Sequence, residues 1–208
     1  GGIFYTYVDS GITAETIRLD GQHQQQFVIQ QPIFFENIPP NLEDGTTPRL
    51  PTTRQKAPGL NDPYTILGGI SYERPLPLKL FGSAGYTWTR GVHLLRSRNI
   101  NAPTLDGDRA ISPFPGQGPI LQYESNGLST RHEMRVNVRT GFSQKITVFA
   151  NYTLASTRNN TDGANSNPAN PYDLSTEWGR AGSDIRHNFF VGGAISVPWG
   201  LRLNPFVT

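Results

Sequence analysis

Apolar and polar residues alternate in five segments of this 208-residue chain, helical periodicity is nearly absent, and short connections alternate with long ones. Together these patterns predict an all-β fold: an antiparallel up-and-down transmembrane β-barrel, present in part, with about seven strands. The segment "YTILGGISYER" (64–74) sets Tyr64, Ile66, Ile70 and Tyr72 on one face against Thr65, Ser71 and Glu73 on the other. After "PLP", the segment "LKLFGSAGYTWTR" (78–90) alternates Leu78, Leu80, Ala84, Tyr86 and Trp88 with Lys79, Ser83, Thr87 and Thr89. "RHEMRVNVRTGF" (131–142) is the most regular, with Met134, Val136, Val138 and Phe142 against Arg131, Glu133, Arg135, Asn137 and Arg139. "KITVFANYTLAS" (145–156) returns with Ile146, Val148, Ala150, Tyr152 and Leu154 on one face. A strand from Ser183 to Val197 places Ile185, Phe189, Val191, Ile195 and Val197 opposite Asp184, Arg186, Asn188 and Ser196, and "LRLNPFVT" reads as the next one.

The connections are lopsided. Short turns at 75–77, 143–144 and 198–200 alternate with long loops at roughly 9–62, 91–130 and 157–183. Up-and-down order sends all the short turns to one end and all the long loops to the other, as in outer-membrane barrels. Soluble sandwiches mix turn lengths at both ends, and long structureless loops are uncommon in them.

Composition fits this reading. Hydrophobic residues are 36% and charged residues 16% of the chain, with 22 glycines and 17 prolines. Few charges and few aliphatics suit strands that are apolar on one face only, joined by many turns. A net charge of +2 without a Lys/Arg block gives no basis for a nucleic-acid partner. The absence of cysteine excludes disulfides and thiolate metal sites. No run reaches the ~18 apolar residues of a membrane-spanning helix, which leaves a strand-built membrane protein open.

Alternation by itself does not say which face is covered. In a soluble sheet the apolar face packs inward; in a membrane barrel it meets lipid and the polar face lines the lumen. Charges of both signs in mid-strand favour the barrel, with Glu133, Arg135, Arg139, Asp184 and Arg186 as candidate lumen-lining residues. Aromatic residues near strand ends, including Tyr86, Trp88, Phe142 and Trp199, are candidates for the membrane-interface girdle. Recurring strand glycines weaken a packed core but are tolerable in a long hydrogen-bonded barrel. The alternative is a soluble secreted β-rich binding or adhesion module with the same faces packed as a core. A small complete porin-like barrel is a third reading, weakened by an odd strand count.

Little else carries chemistry. The four histidines have no ligand-like spacing; His132 and His187 fall on the apolar face by parity, where a hydrogen-bonding interfacial role is expected. "NNTDGANSN" is rich in Asn and Asp but lacks the spacing of a calcium loop, so a flexible outer loop is expected. No nucleophile–base set, phosphate loop or paired carboxylates occur, so neither an enzymatic activity nor a cofactor is expected.

Three stretches carry a family resemblance: "RGVHLLRSRNINAP" (90–103), "ILQYESNGLSTRHEMRVNV" (120–138) and "DLSTEWGRAGSDIRHNFFVGGAISVPWGLRLNPFV" (173–207). In order and form they resemble the barrel of Oar-like TonB-dependent transporters, and the opening "GGIFYTY" with "QHQQQFVIQQPIFF" after it resembles an earlier strand and outer loop of the same barrel. The resemblance implies an outer-membrane barrel of about 22 strands with an N-terminal plug and a TonB box. It further implies uptake of a small ligand (siderophore, cobalamin, saccharide or peptide) driven by the inner-membrane TonB complex. On that plan residues 1–208 are expected to be an internal fragment of one barrel domain, without the plug or the TonB box.

Overall fold

The computed structural model describes residues 1–5, 10–25, 50–140 and 146–208. One antiparallel sheet runs through the chain in nearly sequential order. Its long members are β3 (Tyr64–Leu76), β4 (Leu80–Asn99), β7 (Ile120–Thr140), β8 (Ile146–Asn159) and β10 (His187–Ser196). β1 (Gly2–Tyr5) lies on β3 at one edge. At the other edge β11 (Arg202–Leu203) and β12 (Phe206–Val207) both lie on β10. The pairs Ile195↔Leu203 and Val191↔Val207 belong to one register, so these two pieces are a single strand interrupted at Asn204 and Pro205. The expected seven strands are therefore present, and the sheet is open, not closed into a barrel.

The register explains why the alternation recurs. Residues directly opposite one another form rows across the sheet, and each row keeps one character. Ile70, Tyr86, Met134, Leu154 and His187 form one row on the apolar face. Tyr72, Ala84, Val136, Tyr152 and Phe189 form another. Ser71, Gly85, Arg135, Thr153 and Asn188 form a row on the opposite face. A slip of one residue at any pairing would mix these faces, so the pattern pins the register.

Two of the short turns are described and share one device. β3 ends in a 3-10 turn at Pro77–Lys79, and β10 in another at Pro198–Gly200. In each, Pro is followed by two residues in the left-handed region: Leu78 (φ 62°) and Lys79 (φ 56°), then Trp199 (φ 68°) and Gly200 (φ 73°). The first turn falls two residues later than expected because β3 continues through Pro75, opposite Phe81. β1 reaches only to Leu67, so on that side Pro75 lies at a free edge among the described residues, where a missing N–H is tolerated. The third expected turn, at 143–144, lies outside the described residues.

The long connections are more ordered than the sequence suggests. β4 and β7 run beyond residues 90 and 131 to form a hairpin of 20 and 21 residues. A small second hairpin, β5 (Thr104–Asp106) and β6 (Arg109–Ile111), tips it. Within the expected 9–62 loop lie helix α1 (Ser10–Arg18) and β2 (Thr53–Lys56), which pairs parallel with Ile120–Tyr123 of β7. Ile12, Thr16 and Leu19 of the helical segment share a buried face. β9 (Gly179–Arg180) adds to the end of β8. "QHQQQFVIQQPIFF" lies outside the described residues from Gln26 onward.

Candidate functional site

The polar face of the sheet carries a connected chain of charges. Glu133 on β7 accepts from Arg131 on one side (2.6 Å) and from Arg135 on the other (2.7 Å). Arg131 also donates to the Thr157 hydroxyl on β8 (3.0 Å), and the Thr157 backbone N–H donates to Asp184 Oδ1 (2.7 Å). Asp184 also accepts from Arg180 Nε (2.6 Å), with Arg186 at 4.0 Å. Glu133, Arg135 and Asp184 are thus joined through Arg131 and Thr157, which the alternation alone does not single out. Arg139 stands apart, paired with Glu73 (3.1 Å) and lying over the Phe81 ring. Between them Asn137 donates to Ser83 (3.1 Å) and accepts from Asn151. Gly69, Ser71, Ser83 and Gly85 leave a shallow hollow of about 270 Å³ on the β3–β4 side of Glu133 and Arg135.

Asp184 departs from its expected setting. The strand begins at His187, not Ser183, so Asp184 and Arg186 lie in the segment leading into it. The Asp184 side chain is inaccessible, whereas Arg186 is half exposed. The Thr157 N–H, and after it the Arg180 guanidinium, hold the Asp184 carboxyl below the usual carboxylate range. Its geometry is that of a clasp between β8, β9 and β10. Arg186 reaches the row of Glu133 through its carbonyl, which accepts from Ala155 N (2.9 Å), but Ala155 stands between their side chains.

Among the described residues, no second layer lies upon the apolar face. Tyr86 is 44% exposed, Met134 48% and Tyr152 37%, although their strands β4, β7 and β8 lie in the middle of the sheet. A soluble sandwich would bury this face against another sheet; a membrane barrel presents it to lipid. Trp88 lies on this face of β4 toward the long-loop end, Tyr86 lies midway between Leu80 and Val92, and Trp199 projects from the opposite, short-turn end. Phe142 lies outside the described residues. Two tyrosines reach diagonally to histidines on the next strand: Tyr86 Oη to His132 Nδ1 (2.6 Å) and Tyr152 Oη to His187 Nδ1 (2.8 Å). The remaining histidines are also engaged, His23 by Asp20 (2.9 Å) and His93 edge-on to Tyr64.

A second polar assembly sits at the long-loop end. Two register shifts, between Val92 and Leu94 and between Leu94 and Arg96, break the β4–β7 ladder there. His93 has φ 57° at the first of them. At the second, Gly127 is required: a Cβ would meet Leu94 O at 2.6 Å and Thr161 Cγ2 at 2.5 Å. Above the shifts Tyr123 is fully buried. Its hydroxyl accepts from Arg54 Nη1 (2.6 Å) and donates to Glu15 Oε2 (2.8 Å), tying β7 to β2 and α1. Burial, reinforced by Glu15, pushes the Tyr123 hydroxyl up in pKa. Arg98 pairs with Glu124 (2.5 Å), and Arg96, only 1% exposed, faces Glu177 at 3.8 Å. Asn101 gathers the Phe114, Gln117 and Gly118 carbonyls within 3.1 Å of its amide nitrogen. The "NNTDGANSN" segment is drawn onto β4, where Ser97 N donates to Ser166 O (3.1 Å) and Thr161 Oγ1 to Leu95 O (3.2 Å).

No curated protein matches the chain. Among solved structures it is similar to the outer membrane transporter YddB from Escherichia coli, at 10% identity and a TM-score of 0.47, over 70% of this chain and 20% of that one. The chain thus spans about a fifth of that structure's length. The family model described as "Outer membrane beta barrel domain" matches residues 2–207. A one-sided apolar sheet with short turns at one end and long connections at the other is, on that match, a member of the outer membrane β-barrel domain family, located in the bacterial outer membrane.

Proposed function

We propose that the chain forms a sector of the wall of a TonB-dependent, Oar-like outer-membrane transporter that takes up a small ligand. The observation that carries the reading is the ion-paired chain from Arg135 through Glu133, Arg131 and Thr157 to Asp184 on the face turned away from lipid. Such a ladder gives a wet or plugged lumen a fixed hydrogen-bonding wall. In this reading Glu133, Arg135, Arg139, Asp184 and Arg186 line the lumen. Trp88 stands toward the outer interface, with Trp199 at the periplasmic one, and Tyr86 lies one row deeper, midway along the unbroken β4–β7 ladder. Energy coupling rests on the ordered series of motifs shared with Oar-like transporters. The cargo is a siderophore, cobalamin, saccharide or peptide.

Uptake by cells carrying the intact protein tests this. Labelled candidates from the four cargo classes should accumulate only with a working TonB complex and a proton-motive force. Glu133→Gln combined with Arg135→Gln should lower uptake severalfold while the barrel still assembles. A steady, unselective conductance in liposomes, indifferent to both energy sources, would make the protein an open pore and overturn the reading.

A further inference from the structure

The apolar face has a charge pattern of its own. Below the register shifts, its described strand residues include no Asp or Glu and four arginines: Arg74, Arg90, Arg158 and, opposite Arg158 in register on β9, Arg180. Arg74 lies in the row of Gly82, near the short turns. Arg90 and Arg158 share one row near the long-loop end, on either side of Thr130. The rows of Ala84, Tyr86 and Trp88 between these levels hold no formally charged side chain other than the titratable histidines His132 and His187. From Gly82 to Arg90 is about 27 Å along the strand, or about 20 Å of height at the usual tilt, close to the apolar band of a membrane barrel. The arginines therefore mark the two edges of the hydrocarbon layer, with Arg90 and Arg158 at the outer one.

Arg90 and Arg158 are both exposed, and among the described residues neither has an ion pair or side-chain hydrogen bond. On the polar face of β7, Arg131, Arg135 and Arg139 have carboxylate partners. Arg180, opposite Arg158 in register, is taken by Asp184. The two unpaired guanidiniums stand two strands apart, about 10 Å between backbones. His132 lies one row below, its Nδ1 held by Tyr86. Two Arg forks at the upper edge of an acid-free apolar face suit a phosphate held at headgroup depth.

We propose that Arg90 and Arg158, with Thr130 between them and His132 below, form a site on the outside of the barrel wall for a phosphate of the outer-leaflet glycolipid. The inference rests on the apolar face meeting lipid and is independent of what the transporter carries.

Native mass spectrometry of the intact protein, purified from outer membranes in mild detergent, tests it. Added bisphosphorylated lipid A should be retained by the wild type, and Arg90→Gln with Arg158→Gln should weaken retention about tenfold or more. Arg74→Gln at the opposite edge should leave retention unchanged. Heat-modifiable migration reports whether each variant has folded. If the double Gln variant does not fold, Arg90→Lys and Arg158→Lys keep the charge but lose the fork, and each should bind more weakly than the wild type. Undiminished retention by the folded Gln or Lys variants overturns the proposal. So does equal retention of phosphatidylglycerol, or displacement by inorganic phosphate, which would mean a general anionic attraction or a free-anion site. Cargo uptake, measured separately, decides the transport reading alone.

Discussion

The same two strands build two different kinds of structure. From Leu80 to Val92, β4 pairs with β7 in one unbroken register, and between the levels of Gly82 and Arg90 one face is apolar and the other polar. From Arg96 to Asn99, after two register shifts, the pair is surrounded by α1, β2 and the 160–178 connection. Arg96, Ser97, Tyr123 and Glu124 are buried there. In the lower part the membrane covers the apolar face, so the protein needs no core of its own. In the upper part water surrounds the hairpin, and the chain folds over itself around Arg, Glu, Asn and Tyr side chains that bond to one another, although Arg54 Nε and Arg96 Nε and Nη1 find no partner among the described residues. The difference follows from the surrounding solvent, since strand geometry is common to both parts.

A charge on the apolar face should separate the two regions most strongly. Val136→Arg at mid-span is expected to destabilise the barrel by about 2–4 kcal/mol. Chemical denaturation in lipid checks this, and Arg135→Ala, one residue away on the other face, should cost under ~1 kcal/mol as the loss of a half-exposed ion pair. Equal losses at the two positions would dissolve the two-faced reading.

The upper region should respond to the loss of a single oxygen. Tyr123→Phe leaves Glu15, Arg54 and Asn165 without their shared hydroxyl, which costs about 1–3 kcal/mol where the groups stay buried. The loss should be local: amide exchange in α1 and β2 should accelerate, with the midpoint of barrel unfolding unchanged. A matching fall in that midpoint would show that the two regions unfold as one unit.

The clasp at Asp184 sets the smallest and most conditional effect. Because its folded-state pKa is depressed, its stabilisation is present above the ordinary carboxylate range and is lost as pH falls through the lower folded value. Amide exchange at Thr157 and around residues 179–187 should therefore rise only in strong acid. Asp184→Asn still offers an oxygen to the Thr157 N–H but should remove that pH dependence. A variant retaining the wild-type acid profile would assign it to another group.

Legibility in the sequence divided along the same line. Met134, Val136 and Val138 against Glu133, Arg135 and Asn137 announce a strand and its two faces, because each side chain answers to one environment. The extension of β4 through "VHLLRSRN" does not, since the register shifts around His93 and Leu95 break the alternation and both faces become buried. The Tyr123 assembly joins Glu15, Arg54 and Asn165 across more than a hundred residues, and no local pattern signals such a meeting. Asp184 has the right parity for the polar face, but its place in a turn depends on where β8 and β9 end.

The sequence alone determined the strand order, the two faces and the lopsided connections, because a period of two and the length of a loop are local properties of the chain. Tertiary structure decided what the charges do. Whether Asp184 clasps strands, Arg131 completes a ladder, or Arg90 and Arg158 stay unpaired at the membrane's edge depends on which strand lies beside which. That choice is settled by register and solvent, which no single segment encodes.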